Sequence, residues 1–583
     1  METRWVPFGA IWRRGGYRLV LYGDAVGTVR CYVETRWVPF GAIWRRGGYR
    51  PVRANMKSPV FSFVFLLCLS VIRSSTADCP AKCACDRDVQ NRKRIRCDTG
   101  GGLIRDGTFI PELIDRDTEV LYISAPPGQP NRINQLTPAM FQGLKLQELH
   151  ILHSQLRSIG ARTFFYLSNT LKVLNLAHNQ LMDISENNFR NLSGLTHLHL
   201  DYNRIVHLHS ATFNYQRNLR VLTLSNNRIY DLGTRFLLQE VPTLEVVDLS
   251  SNPLGAPNFE GLPELIPGLI FQDVPNLRRV SFANTSIDRL PYAAVARHCT
   301  RLEDLDVSHN KFTVIQPGQF NEIKSLRKLN LAGNRLSVIQ PGALRGITLD
   351  YLDLSETLLP GFTDRIFEGA KVHGISIASN QLQSLDTAAL LPIAKDLVRL
   401  DVGGNPLALT DRMFKFLPQL KGLSLASMRL ASLPAKLFDY PHEIRSFNIS
   451  SNIFRQLDQT VLESLPNLEV LDLSKNELQS LPFQLAQPTL TEFYVTNNAL
   501  PKIPDHFTDV FRSASSKIKT FRVDGNPLEC NWSIGGLADW ISSPSGRSVV
   551  CGRDAGERCP VCAGPAELKG KSVDEIKVKV STA

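Results

Sequence analysis

The sequence predicts an α/β solenoid: a horseshoe of stacked short repeats with a concave parallel β-sheet and a disulfide-bonded cap at each end. Three observations predict it. The phrase LxxLxLxxNxL recurs along most of the chain, and its copies are mostly 22 to 25 residues apart. Cysteines cluster before the first copy, at Cys79, Cys83, Cys85 and Cys97, and after the last, at Cys530, Cys551, Cys559 and Cys562.

Clear copies begin at Leu171, Leu195, Leu219, Leu326 and Leu468. Looser ones begin at Leu146, Leu244, Leu277, Leu302, Leu349, Val372, Leu397, Leu420, Ile444, Leu490 and Ile518, sixteen in all. An irregular segment around Leu121 and Ile123 is expected to start the series. That period with that phrase is a leucine-rich repeat. Within LxL, alternate residues face opposite sides, as a strand requires. From Leu171 on, Leu174 and Leu176 are expected inside, and Val173, Asn175 and Ala177 outside.

Asn179 ends the phrase, where an amide donates to and accepts from the backbone of adjacent turns. Asn227, Asn252, Asn310, Asn334, Asn380, Asn405, Asn452, Asn476, Asn498 and Asn526 share the slot and predict a ladder. Ser154, Thr285, Thr357 and Met428 interrupt it, with water or hydroxyls filling the gaps; a local change of curvature is the alternative. Phe189, Phe213, Phe320, Phe414 and Phe438 come later in their repeats and predict an apolar spine on the outer side. One repeat cannot bury its own face, so stability comes from neighbour stacking. The 33-residue repeat at Leu244 carries Pro253, Pro257, Pro263 and Pro267, and its surplus is expected to bulge as a tolerated surface loop rather than a docking feature.

The N-terminus reads differently. Glu2 to Arg18 recur unchanged as Glu34 to Arg50, which slow divergence of a folded unit does not produce. Residues 1–55 are therefore expected to be a non-native extension, either translated upstream sequence or a misassigned gene start, with a real basic extension as the alternative. From Met56 the chain has Lys57, an apolar run from Val60 to Ile72, and small residues Ser75, Thr76 and Ala77 before Asp78. That is the pattern of a secretory signal peptide over 56–77. The run is short for a membrane span, and no later stretch matches it, so no membrane insertion is expected of the given chain. Further divisions follow: an N-terminal Cys-rich cap over 78–117, repeats over 118–528, and an atypical C-terminal cap over 529–583.

Removing the leading residues removes the basicity. The chain carries a formal +11; residues 1–55 hold +7 and Lys57 and Arg73 two more, which leaves +2 from Asp78 on. Nothing there provides the concentrated basic face of a nucleic-acid binder. Cysteines at both ends of a solenoid, behind a signal peptide, read as disulfide-tied covers for exposed terminal faces. Chelation by Cys83-x-Cys85 or Cys559-x-x-Cys562 is the rival reading. Cys299 takes a slot held elsewhere by Leu192 or Ile323, so a buried free thiol is expected, with an intermolecular disulfide as the alternative. Four sequons, at Asn191, Asn284, Asn448 and Asn531, predict N-glycosylation. Asn448 lies on the concave side of its strand, where a sugar would occlude part of that face.

The segment CPAKCACDRDVQNRKRIRC resembles the N-terminal capping module of extracellular leucine-rich-repeat proteins. The resemblance implies the pairs Cys79–Cys85 and Cys83–Cys97. The end is similar to that family's C-terminal cap at Asn526, Pro527, Leu528, Cys530, Trp540, Cys562, Pro565, Leu568 and Gly570. It departs from it too. Trp532 stands where a second cysteine belongs, the last cysteine is missing, and Cys551 and Cys559 are extra. The pairs expected there are Cys530–Cys562 and Cys551–Cys559. The chain looks most like secreted or transmembrane leucine-rich-repeat proteins of invertebrate epithelia, which implies roles in apical matrix, adhesion or signalling.

No catalytic, cofactor or metal residues are expected. Seven of the twelve histidines lie between His150 and His209. His150, His197 and His199 face the concave side, but His150 and His199 lie about 10 Å apart at about 4.8 Å per strand, too far for one metal. They read as surface histidines, with a pH-sensitive patch as the alternative. Asp248, Asp306, Asp353, Asp401 and Asp472 form an inner column without a nucleophile or pocket signal, so no enzyme is expected. The ligand-face candidates are His150, His197, His199, Arg279, Asp306, Lys328, Tyr351 and Asp353, with Asn330, Glu492, Tyr494 and Arg522 also facing inward. The partners expected are extracellular proteins or matrix components, with no cofactor. The location expected is the extracellular space, the extracellular matrix or the cell surface. A matrix or adhesion protein is the leading reading; a receptor ectodomain whose membrane span lies outside this sequence is the runner-up.

Overall fold

A computed structural model describes the backbone of three N-terminal strands and, with short gaps, residues 79–576. The longer stretches outside the description are 35–78, 256–271, 553–558 and 577–583. The signal-peptide reading falls there, as does the surplus of the Leu244 repeat with Pro257, Pro263 and Pro267; Trp532 lies in a short gap that is also outside the description. The chain divides into two compact units, residues 1–80 with 113–115, and residues 81–112 with 116–583. In the first unit, Val6–Arg14, Tyr17–Gly23 and Val29–Glu34 form an antiparallel three-stranded sheet. A sheet there was not expected of a segment read as outside the fold.

The second unit is the solenoid. Every one of the sixteen phrases supplies a strand that opens two residues after its first apolar position, from Glu148–Ile151 to Thr520–Arg522. Leu121 and Ile123 do begin the series, in the strand Val120–Ile123. It pairs in parallel with Glu148–Ile151 on one side and with Lys93–Cys97 on the other. An antiparallel hairpin, Ala84–Arg87 with Lys93–Cys97, ends the sheet. From there each strand pairs in parallel with its sequence neighbour in unbroken register: Leu149 beside Leu174, Leu174 beside Leu198, Leu198 beside Leu222.

The LxL leucines form the core: Leu174, Leu176, Leu198 and Leu200 are fully buried. Ala177 differs from expectation, since it is buried rather than outward. Strand geometry stops at Asn175, and the chain turns through His178, whose φ of 55° is left-handed. That turn recurs one residue before the ladder position, at His153, Tyr202, Asn226, Ser251, Asn284, His309 and beyond. Each such residue passes its N–H to the next repeat, as His178 does to Asp201 O and Tyr202 to Ser225 O, both at 2.9 Å. The left-handed conformation costs energy for a residue with a Cβ; the inter-repeat hydrogen bond offsets it.

The asparagine ladder is present and extends further than the phrase matching indicated. Asn203, in the clear repeat at Leu195, donates to Leu176 O and Leu200 O at 3.0 Å and accepts from Leu181 N. Asn131 adds a rung before the first full repeat, donating to Ser124 O. Hydroxyls fill the gaps. Thr285 Oγ1 donates to Phe282 O at 2.7 Å, Thr357 Oγ1 to Asn380 Oδ1 at 2.6 Å, and Ser154 Oγ to Leu152 O at 2.8 Å. At Met428 only the backbone participates, its N–H donating to Asn452 Oδ1. The phenylalanine column is buried on the far side of the core, and Phe141, Phe164 and Phe367 join the five expected members.

Both ends carry disulfides. Cys83 is bonded to Cys97, Cys530 to Cys562 and Cys551 to Cys559; Cys79 and Cys85 are also in disulfides. At the C-terminal end Trp540, on the helix Gly535–Ile541, packs on Phe521 and Phe511 at centroid distances of 6.2 and 6.3 Å. That places aromatic area over the last strand, whose inner face has no following repeat. Cys299 is buried and free, and burial pushes its thiol pKa up to about 12.

Candidate binding face

The outward residues of the sheet form two columns, because the parallel register places equivalent positions side by side. The first runs Val173, His197, Val221, Val246, Arg279, Asp304, Lys328, Tyr351, Gly374, Arg399 and Gly422. The second runs Asn175, His199, Thr223, Asp248, Ser281, Asp306, Asn330, Asp353, Ser376, Asp401 and Ser424. Most of these residues are half-buried. Neighbouring strands fix their backbones, so the face is pre-organised.

The columns differ in chemistry. In the second, one carboxylate oxygen is committed to the fold. Oδ1 of Asp248, Asp306, Asp353, Asp401 and Asp472 accepts from the backbone N–H two residues on, at 2.9 Å in every case. Asn175, Asn330 and Asn448 do the same at 2.9–3.0 Å. These residues close the turn after the strand, so Asp306 and Asp353 are partly structural. The preference for Asp or Asn in this slot was visible as LDLS and LNLA, but its local purpose was not.

Charged residues concentrate in the middle of the first column. Arg279 is exposed and pairs with Asp304 at 3.5 Å. Burial raises the Asp304 pKa, opposed by Arg279 and Lys328. Lys328 is exposed. Tyr351 is half-buried, and burial raises its phenol pKa. Towards the end, the Tyr494 hydroxyl donates to Glu492 Oε2 at 2.9 Å, and Arg522 donates to Val550 O at 2.8 Å. Arg522 therefore ties the sheet to the C-terminal cap.

The early histidines split into two groups. His150 sits 3.4 Å from Glu148, which Arg92 of the N-terminal hairpin holds at 2.7 Å, and its ring lies 5.6 Å from Tyr122. His199 bonds Thr223 Oγ1 at 2.9 Å, and His197 bonds Thr196 Oγ1 at 2.9 Å. Burial lowers the His150 and His199 pKa values, with Glu148 and Asp201 respectively opposing it. His150 and His199 are separated by Asn175, as the spacing required. No three His, Cys, Asp or Glu side chains among the described residues are placed to hold a metal. Outside the strands, His153, His178 and Tyr202 stack at 4.6 and 4.3 Å on the left-handed turns; that aromatic column was missed, because its register lies beyond LxL.

The sequons lie apart. Asn284 and Asn531 are exposed, and Asn191 and Asn448 half-buried, with Asn448 beside Asp472 on the sheet. Among the described residues, no helix is long and apolar enough to cross a membrane.

The model of the leucine-rich-repeat family matches residues 145–205, 193–254, 300–359 and 442–500. Podocan from Mus musculus is 29% identical over 345 residues, covering 57% of this chain and 52% of podocan. Adenylate cyclase from Schizosaccharomyces pombe is 22% identical over 437 residues, covering 67% of this chain and 25% of the cyclase. The chain thus spans a quarter of the cyclase and about half of podocan. The solved Toll–Spatzle complex of Drosophila is similar at 18% identity and a TM-score of 0.49, over 83% of this chain and 71% of that one. Sixteen phrases that each form a strand and the match to the family's repeats make the array a leucine-rich-repeat array, and with bonded cysteines at both ends the chain is similar to extracellular leucine-rich-repeat proteins such as podocan.

Proposed function

We propose that the chain is a secreted, glycosylated, non-catalytic protein that binds extracellular protein partners through its concave face, in matrix organisation or cell adhesion. One observation carries this reading: the sheet presents a long row of chemically varied side chains on strands whose backbones the neighbouring strands and the buried leucines hold in place. Such a surface binds with little ordering cost. The same reading assigns 56–77 to a signal peptide, 78–117 and 529–583 to caps and 118–528 to repeats, with sugars on Asn191, Asn284, Asn448 and Asn531.

The test is expression of the chain from Met56 in a secretory cell. Recovery from the medium with Asp78 as first residue supports the reading; retention in membranes points to the receptor alternative. Partners captured by cross-linking on the secreted form are then titrated with variants. Tyr351→Ala or Arg279→Ala is expected to weaken binding by about 1–2 kcal/mol. Arg190, which lies on the Tyr215 ring away from the sheet, serves as control, and Arg190→Ala is expected to be silent. Silent concave variants with a disruptive Arg190→Ala would refute the concave-face reading.

A further inference from the structure

The strand Gly374–Ser376 departs from every other repeat strand, because both of its outward positions are buried. Tyr351 on the preceding strand is the cause. Its ring lies across Gly374, where an added Cβ would come within 2.9 Å of Cδ2. Arg399, on the following strand, repeats the arrangement. Its Cγ lies 3.3 Å from where a Cβ on Gly422 would stand. Tyr351 and Arg399 are therefore laid down in the same direction, each over a glycine of the next strand. The result is a patch of the sheet on which a ring and an arginine arm lie flat over glycines.

Charge separates Arg399 from the other arginines on this face. Arg92 pairs with Glu148, Arg279 with Asp304, and Arg522 donates to Val550 O. The Arg399 side chain is exposed and, like that of Lys328, has no hydrogen-bond or ion-pair partner among the described residues. Its neighbours in the same column are Gly374 and Gly422, which bring no side chain to it. Asp353 and Asp401 lie in the second column, each with Oδ1 already accepting a backbone N–H.

We propose that Tyr351 and Arg399 form the anchor of the concave face and receive an acidic segment of a protein partner, its carboxylate on the Arg399 guanidinium and an adjacent flat or aliphatic side chain on the Tyr351 ring. This rests on the concave-face reading and deepens it. The guanidinium fork matches a carboxylate in two parallel hydrogen bonds. Tyrosine and arginine are the residues in which binding energy concentrates. The Tyr351 ring already packs on Gly374, so less side-chain freedom is lost on binding. The carboxylates of Asp353 and Asp401 oppose a dense polyanion such as a sulfated glycan, whereas a single carboxylate flanked by uncharged residues fits between them.

A random dodecapeptide library displayed on phage, panned against the secreted protein with counter-selection on Arg399→Glu, tests this. Selected peptides are expected to carry Asp or Glu next to an aromatic or aliphatic residue. Their affinity is expected to fall at least tenfold in Arg399→Ala and in Gly374→Leu, which displaces the Tyr351 ring, and to be unchanged in the exposed control Lys395→Ala. Hydrogen exchange on each variant verifies that the sheet is intact and locates the bound peptide. Protection confined to other concave strands, or no acidic enrichment, overturns this anchor and leaves the concave-face reading standing. Protection confined to the convex side overturns both.

Discussion

Asn227→Ala tests what holds the stack together. In the native chain the Asn227 side chain serves two turns. Its Oδ1 accepts from Ile205 N at 3.0 Å, and its Nδ2 donates to Leu200 O at 3.0 Å, Leu224 O at 2.9 Å and Ser225 O at 3.2 Å. Two amide hydrogens serve three carbonyls, so some of these bonds are shared. Alanine leaves the Ile205 N–H without this acceptor and removes the donor from Leu200 O and Leu224 O. A buried polar group left unsatisfied costs about 1–3 kcal/mol, and the donor suffers most because a carbonyl has a second lone pair. The sum expected is about 3 kcal/mol. Asn227→Thr is expected to cost about half that, because Thr285 and Thr357 already act as rungs through their hydroxyls. Stability in a repeat array is a nearest-neighbour property, so the assay is amide hydrogen exchange read repeat by repeat. Protection is expected to fall between about Leu195 and Asn252 and to persist near Leu468. A loss below about 0.5 kcal/mol, or an equal loss along the whole array, would refute the ladder argument.

Three further outcomes follow from the structure. The Cys299 thiol, buried with its pKa raised to about 12, is expected to resist a thiol reagent at neutral pH in the native protein and to react on unfolding; native labelling contradicts this. Burial holds His150 and His199 below the ordinary value of 6.5, so the unfolded chain binds these protons more tightly than the folded one. The stability they support is complete above about 6.5 and falls as pH drops through that value towards their folded values; His150→Gln with His199→Gln is expected to flatten the decline in the early repeats by hydrogen exchange. Opening the Cys83–Cys97 link, which spans 14 residues, is expected to cost about 3 kcal/mol in the first repeats and little beyond them, measured in the Cys83→Ser, Cys97→Ser variant.

The fold was legible because its rule is periodic. An LxL pair at fixed spacing sets strand, face and register together, and all sixteen starts carried through to paired strands. Two things escaped the phrase. Ala177 follows the strand's alternation on paper, but His178 turns left-handed and the alternation ends there. Asn203 sits in the ladder slot of a clear repeat and was passed over, although its slot is as plain in the sequence as that of Asn227. The binding face was legible only as columns. Which of its residues are committed to the fold depends on contacts between strands and across turns: Asp353 to Ser355 N, Tyr351 over Gly374, Arg522 to Val550 O. No linear pattern marks Arg399 as unpaired or Gly374 as covered, because both facts depend on which way a neighbour's side chain lies.

The concave face is tested most directly by the hydrogen-exchange footprint of the secreted protein with a captured partner bound. The account predicts added protection in the sheet strands between Arg279–Ser281 and Gly422–Ser424, with the buried phenylalanine side and its loops unchanged. Protection restricted to those loops, with the strands unaltered, would contradict it.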